Sequence, residues 1–559
     1  KVVIDRPAYS LIYYPDGSLT SYIASKRNPI ANALFERDED ETYSAQLNNQ
    51  LDYQIINDLK FTTLFNAKLD NFQNMYFSPR ILSANKDKNA GRNEMAKTFF
   101  WEYQAFLNYN KTVKVDHNFT ALLGFSADRR KFDRIHTEYL NSVSESLLVT
   151  IPDYLTSSKS YSSATANTTA SIFSRLGYNY KGRYILQGTY RRDGSSRFGP
   201  DNLWGSFFSG SAAWRFSDEK FMSWSKSFLD DAKVRYSFGQ LGNDRIGDYE
   251  SYLKVDFFGN YVGVGGAGLS SILGNESIKW ETTTQNNVGL DLTFFKGRLG
   301  LTADYYVKRT EDLLYPRELA KETGFSKVQV NLGTIQTKGL EFVLSGTPIT
   351  NKNFDWNVTG NISFERGKIV KLADGIPFFP GNKWYAEDGG RIGNFYGWKN
   401  LGVYQWDESN AYDDNWNKLT VVLEGGKPKY LNGNPVYTLN GKEYVGNIKS
   451  KYAPDGKLKG GDAEWEDLKE DGIIDDADRQ VLGNATPDYY MGIMNNFRYK
   501  NFSLSFLFNG SFGGKIYNSL LQTQNKPSNT GAGSPDMVYN SWRKPGDIAK
   551  YPYYIEKDN

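Results

Sequence analysis

Between Phe354 and Phe364 the chain alternates apolar and polar residues with a period of two. Phe354, Trp356, Val358, Ile362 and Phe364 fall on one face and Asp355, Asn357, Thr359, Asn361 and Ser363 on the other. That is a strand with one apolar side. Upstream, Leu340, Phe342 and Leu344 stand opposite Glu341, Val343 and Ser345, across a short polar link from Thr347 to Asn353. The pattern recurs as hairpins. Leu290, Leu292 and Phe294 run into Lys296-Gly297 and return as Leu299, Leu301, Ala303, Tyr305 and Val307. Similar tight turns are expected at Lys181-Gly182 and Lys500-Asn501. Others join Trp101, Tyr103, Ala105, Leu107 to Val115, Phe119, Ala121, Leu123, Phe125, and Tyr53, Ile55 to Phe61, Thr63, Phe65. About 14 such strands can be counted, each near the ~9–11 residues that a tilted membrane strand needs.

The links between them sort by length. One end has turns of a few residues. The other has excursions at about Ser126 to Thr168, Gln240 to Trp280, Thr310 to Gln336 and Gly367 to Pro487. Short turns on one side and long polar loops on the other predict an all-β fold, a large antiparallel transmembrane β-barrel with periplasmic turns and extracellular loops. Rings at Phe99, Phe100 and Trp101, at Phe207 and Phe208, at Phe294 and Phe295, and at Tyr489 and Tyr490 are then expected at strand ends, as girdles at the headgroup layer.

Composition sharpens this. Aromatic residues make up 15% of 559 residues, yet mean hydropathy is only −0.58. No run of 18 apolar residues occurs, which excludes a membrane-spanning helix and leaves a barrel open, because only every second strand residue faces lipid. Length alone would have implied three or four domains. The net charge of +2 speaks against nucleic acid as a partner. With no cysteine, disulfides, thiolate metal sites and cysteine nucleophiles are excluded. His117 lies in phase with Val115 and Phe119 near a strand end, and His136 is expected in a charged loop. Neither has a nucleophile or acid arranged around it in sequence, so no enzyme is expected. Gly263 to Gly268 matches a dinucleotide-fingerprint spacing, but no helix follows, and it is read as a flexible loop.

Asp467, Asp471, Asp475 and Asp478 have calcium-loop spacing, with Gly472 at the sharp turn. Lys469 stands where a third oxygen ligand belongs. A structural Ca²⁺ is weighed here against an acidic, solvated turn, and no other cofactor is indicated.

From Leu176 to Met222 the sequence becomes familiar. Leu176-Gly-Tyr-Asn-Tyr-Lys-Gly-Arg-Tyr184 is followed by Arg191-Arg-Asp-Gly-Ser-Ser-Arg-Phe-Gly199 and by Ala212-Ala-Trp-Arg-Phe216. Lys279-Trp-Glu-Thr-Thr283, Lys338-Gly-Leu-Glu341, Gly393-Asn-Phe-Tyr-Gly397 and Trp542-Arg-Lys-Pro-Gly-Asp547 follow in order. The series resembles the SusC/RagA-type TonB-dependent outer-membrane transporters of Bacteroidetes. The resemblance implies a plugged barrel of about 22 strands. About 14 of them would lie here, so that residues 1–559 are read as an internal portion of a longer polypeptide. Neither a plug nor a TonB-box segment is recognised, nor the last strands.

The same resemblance implies import of oligosaccharide or peptide across the bacterial outer membrane. A SusD-like lipoprotein would be the lid and TonB the source of energy, and two such pairs could form a dimer. The excursion 367–487 interleaves Trp384, Tyr385, Phe395, Tyr396, Trp398 and Trp406 with Asp, Asn and Lys, a mixture suited to sugar or peptide faces. These six are the candidate substrate contacts, although a loop this long must also bury rings of its own to be ordered. A secreted glycan-binding β-protein and a transporter-like scaffold of an envelope complex are the alternatives.

Overall fold

The structure, a computed structural model, describes residues 11–20, 22–23, 26–83, 88–142, 145, 156–261, 264–372, 375–379, 383–525 and 534–553. One antiparallel sheet of 14 strands dominates it, with every strand beside its sequence neighbours. In order these are β1 (Arg37–Ile56), β2 (Leu59–Ser78), β3 (Ala90–Val113), β4 (His117–Leu140), β5 (Thr156–Tyr180), β6 (Tyr184–Ser195) and β7 (Trp204–Arg215). They continue as β8 (Leu229–Asn243), β9 (Glu281–Phe294), β10 (Leu299–Glu311), β11 (Thr334–Thr350), β12 (Phe354–Lys371), β13 (Tyr489–Tyr499) and β14 (Phe502–Phe512). β1 and β14 each pair on one side only, so within the described residues the sheet has two edges.

Turn-end links are two to four residues long, apart from 216–228. At Lys181 and Gly182 both φ angles are positive, 56° and 66°, a geometry that matches strand twist. At the opposite end the excursions are 141–155, 244–280, 312–333 and 372–488. The first is much shorter than expected. β4 and β5 stay paired from His117↔Tyr180 to Leu140↔Thr156, so His136 lies in a strand.

The strands outrun the apolar stripe. On β3, Trp101, Tyr103, Ala105, Leu107 and Tyr109 share the apolar face, whereas Lys97 on that face, and Arg129 and Lys131 opposite Trp101 and Phe99, are exposed and charged. Phe99 and Trp101 therefore sit mid-strand at the top of the stripe, with Phe100 on the opposite face, and none is at a strand end. Phe207 is likewise inside β7, buried against Trp280 at 5.6 Å between centroids. Phe294 and Tyr489 lie at strand ends, as expected.

The other face is polar and cross-linked by charge. Arg235 donates to Asp291 at 2.8 Å and to Asp304 at 3.1 Å. Gly289 stands between Arg235 and Asp304 in register, and a Cβ there would lie 2.5 Å from the guanidinium carbon. The close approach of the ion pair requires glycine. His136 is buried on this face, with Nδ1 3.0 Å from Glu94 and Nε2 3.0 Å from Glu138, whereas His117, on the apolar face, has Nδ1 2.8 Å from the Tyr178 hydroxyl.

Compact packing is confined to the loop end. Phe198, Ile246 and Ile278 form one buried cluster with Trp280 and Leu314 against it. Residues 264–269 pair with 255–261 as a two-stranded ribbon rather than a flexible loop, while 262 and 263 lie outside the described residues.

Candidate functional site

The rim of the sheet beyond β12 holds the candidate contacts. Trp384–Tyr385 pairs with Asn394–Gly397, which pairs with Gln480–Asn484, forming a three-stranded sheet. It is fastened to β12. Ile369 N donates to Gly390 O at 2.9 Å, Gly389 N to Ile369 O at 2.8 Å and Ile392 N to Gly367 O at 3.1 Å. Asn484, buried, donates from Nδ2 to Ile392 O and to Asn394 Oδ1 at 3.0 and 2.9 Å, which locks the hairpin onto the strand leading into β13.

Alternation then sends rings to both faces. Trp384 stacks on Phe395 at 4.6 Å, and Tyr385 on Tyr396 at 4.1 Å with planes 15° apart. Phe379 closes on the tyrosine pair at 5.2 and 5.7 Å. The Arg479 guanidinium lies 4.1 Å from the Trp398 ring centroid and 5.9 Å from that of Phe379, while also pairing with Asp476 at 2.7 Å. The Trp398 indole donates to Asp475 O at 2.7 Å. Half-buried rings beside a cation and free hydroxyls can cover the apolar face of a sugar or side chain while a few polar groups orient it. Burial raises the pKa of Tyr385 above the usual phenol value, with Glu387 adding to it, so it serves as a neutral hydrogen-bonding group.

Of the six expected contacts, Tyr385, Tyr396 and Trp398 thus gather around Phe379 and Arg479, while Trp384 and Phe395 stack on the opposite face of the hairpin. Trp406 joins neither set: its ring lies where a Cβ on Gly546 would be, 2.6 Å away, and it lines the joint between this loop and the segment after β14. Phe379 and Arg479 join the group without a local sequence signal, since Arg479 arrives from a strand approach some 80 residues after the hairpin.

Between the rim strands, residues 399–466 make a lobe whose ends meet: Lys399 Nζ is 2.9 Å from Glu466 Oε1, and Glu466 N donates to Lys399 O at 3.0 Å. It buries Tyr404 with Leu458 and with Ile474 of the turn that follows, and Tyr437 with Ala411 and Leu419. A polar chain runs through it. The Tyr404 hydroxyl contacts that of Tyr412 at 2.9 Å, and Tyr412 donates to Glu464 Oε1 at 3.0 Å. Since Tyr412 spends its only proton on Glu464, Tyr404 is the donor between the two. Lys418 pairs with the same carboxylate. Burial pushes both phenols well above their ordinary value. The segment after β14 clasps this body, with Trp542 Nε1 donating to Gln405 O at 3.1 Å and Tyr553 N to Gly461 O at 2.9 Å.

The four aspartates of the calcium-like spacing are spent on their own backbone. Asp467 accepts from Gly472 N, Asp471 from Ile473 N, Asp475 from Ala477 N, and Asp478, fully buried, from Leu468 N and Asp475 N. Among the described residues no three acidic or imidazole groups converge on one point. The nearby buried cation is Lys451. Its ammonium donates to Trp465 O at 3.1 Å, and burial holds its pKa below the usual lysine value, against the pull of Asp467, Glu464 and Asp478. Asp467 Oδ1 is buried without a partner. As placed, the four carboxylates do not converge on a point that would hold a Ca²⁺ ion.

The β-barrel family of TonB-dependent receptor-like proteins matches residues 4–439. The chain is 36% identical over 553 residues to TonB-dependent receptor P39 of Formosa agariphila, covering 96% of this chain and 51% of that protein. It is 30% identical over 387 residues to TonB-dependent receptor SusC of Bacteroides thetaiotaomicron, covering 68% of this chain and 34% of that protein. The chain spans about half the length, or less, of these curated relatives. A solved structure of the RagAB peptide transporter superposes with a TM-score of 0.77 over 98% of this chain and 56% of that chain, at 20% identity, which speaks to the fold.

Proposed function

The chain belongs to the TonB-dependent receptor-like β-barrel family, and from that premise we propose that it forms most of the barrel wall and mouth of an outer-membrane importer. The cargo is an oligosaccharide or a peptide, a SusD-like lipoprotein closes the mouth, and TonB supplies energy through the complete protein. Two such pairs would associate as a dimer. Residues 372–488 form the extracellular excursion that contacts lid and cargo.

One observation carries this reading: the stacked rings Tyr385 and Tyr396, with Phe379, Trp398 and the Arg479 guanidinium, are fastened by backbone hydrogen bonds to the strand end of β12. Rings held at the loop-end rim, where the polar face of the sheet begins, meet cargo as it enters a barrel whose inner face is polar. The apolar face with its ring rows supports placement in a bilayer.

The test is uptake by the full-length receptor in cells with and without TonB. Tyr385→Ala with Trp398→Ala should lower uptake of a labelled oligosaccharide or peptide at least about tenfold, the order expected for two lost stacking anchors. Surface abundance should stay normal. Uptake that is unchanged in both the variant and the TonB-deficient strain would leave a scaffold role as the better account.

A further inference from the structure

The apolar face of β10, β11 and β12 ends in a row of apolar residues and then in a block of cations. Tyr305, Leu340 and Phe364 stand in register as the last such row. The next row toward the loop end is Val307, Lys338 and Arg366, and the one beyond it Arg309, Gln336 and Lys368, with Arg391 of the rim hairpin opposite Lys368. Two like-charged pairs, Lys338 with Arg366 and Lys368 with Arg391, therefore face one another directly across neighbouring strands. Such pairs are destabilising in a sheet unless something neutralises them.

The protein neutralises them only in part. Arg309 pairs with Glu311 at 2.9 Å, and Arg391 with Asp488 at 3.5 Å, leaving Arg391 Nη2 buried without a partner. Lys338, Arg366 and Lys368 are exposed, and none makes an ion pair among the described residues. Three cations without an ion pair among the described residues thus stand together at the loop end of the apolar face.

Their height identifies the missing anion. A residue pair along a strand advances about 6–7 Å, so the two basic rows lie within about 15 Å of the ring row, at the headgroup layer. Lysine and arginine stems cover apolar wall there while their heads reach the phosphate plane, and a guanidinium forks onto phosphate oxygens. We infer that Lys338, Arg366 and Lys368, flanked by Arg309 and Arg391, bind the phosphorylated headgroup of an outer-leaflet lipid. This rests on the reading that the apolar face lies in the outer membrane.

The experiment is native mass spectrometry of the full-length receptor, extracted in mild detergent and titrated with monophosphoryl lipid A, its dephosphorylated analogue, or inorganic phosphate. The wild-type receptor should hold the phosphorylated lipid. The combined variant Lys338→Gln, Arg366→Gln, Lys368→Gln should lose about a hundredfold, at about 1 kcal/mol per charge. Lys308→Gln, on the polar face of the neighbouring β10, should change nothing. The inference is overturned if the triple variant loses less than about threefold, if Lys308→Gln loses as much, or if the dephosphorylated lipid binds equally. It is also overturned if inorganic phosphate competes at the concentration at which the lipid binds. Should the triple variant lack the heat-modifiable mobility of a folded barrel, the single variants at Lys338 and Lys368 carry the test, each expected to lose about fivefold. A receptor recovered outside the membrane fraction would defeat the outer-membrane reading itself, whereas an inserted receptor without phosphate preference defeats only this inference.

Discussion

Replacing Tyr412 by phenylalanine should weaken the 399–466 body far more than the same change at Tyr404. Both rings are buried, at 3% and 0% exposure. The Tyr412 hydroxyl donates to the Glu464 carboxylate and accepts from Tyr404. Its removal deletes a hydrogen bond to a charged group, about 1.5–3 kcal/mol, and leaves the Tyr404 hydroxyl without a partner in a dry site, about 1–3 kcal/mol. Partial relaxation brings the expected total to about 3 kcal/mol. Tyr404→Phe deletes one neutral bond and strands nothing, because Tyr412 keeps Glu464, so it should cost about 1 kcal/mol. In the double variant no hydroxyl is orphaned, and the cost should fall to about 2 kcal/mol, below that of Tyr412→Phe alone. The assay is native-state proteolysis of the full-length receptor in detergent under conditions where cleavage within 399–466 follows the local opening equilibrium. At 1.4 kcal/mol per tenfold, Tyr412→Phe should speed cleavage roughly 150-fold and Tyr404→Phe about fivefold. Equal effects for the two single variants, or a double variant equal to their sum, would refute the relay Tyr404 to Tyr412 to Glu464.

The same body should open in alkali. Tyr404, Tyr412 and Tyr437 hold their protons above the ordinary value of 10, Tyr437 up to about 12, so their contribution is complete below pH 10 and is lost as pH rises beyond it. The loss should run at about 1.4 kcal/mol per pH unit for each. Lys451, with a lowered value, acts in the opposite sense only up to its ordinary 10.5, so tryptophan fluorescence should report opening between about pH 10.5 and 12. An unchanged spectrum to pH 12 would count against it. Gly289→Ala should break the contact between Arg235 and Asp304, destabilising by about 1–3 kcal/mol, and a lower heat-modification temperature measures it. Excising 399–466 with a short linker should leave a folded barrel and an intact rim sheet, because the two ends already touch. Loss of heat-modifiable mobility would show that the body is needed for folding. Chelation followed by added Ca²⁺ should leave cleavage of the 467–478 turn unchanged, since backbone amides occupy its carboxylates; protection by Ca²⁺ would restore the metal reading.

Where the period-2 pattern was clean, the reading held. β12 begins at Phe354, the turns at Lys181-Gly182 and Lys500-Asn501 fall where expected, and fourteen strands form one antiparallel sheet. The pattern failed where both faces of a strand are polar. From Arg129 to His136 the chain reads as a charged loop because neither face is apolar, yet it is a strand, held by the ladders of β3 and β5 and by Glu94, Arg134 and Glu138 on its polar face. Hydrophobic alternation reports the part of a strand that has one apolar face, and β3 to β5 continue well past it.

The rim site divides the same way. Trp384, Tyr385, Phe395 and Tyr396 were legible because two short aromatic runs with a turn between them form a hairpin locally. Arg479 and Phe379 were not, since only the docking of residues 480–484 on the hairpin brings the guanidinium to Trp398. Trp406 has the same composition around it as Trp398 and goes elsewhere, because the segment after β14 folds back and covers it. By itself, then, the sequence determined the fourteen strands, their antiparallel order and their apolar face, since those depend on alternation within about ten residues. Only the tertiary structure decided which rings stack together, that the buried Lys451 stands beside the acidic turn, and that cations gather above Tyr305 and Phe364. Each of these is set by register between strands distant in sequence, which no local pattern encodes.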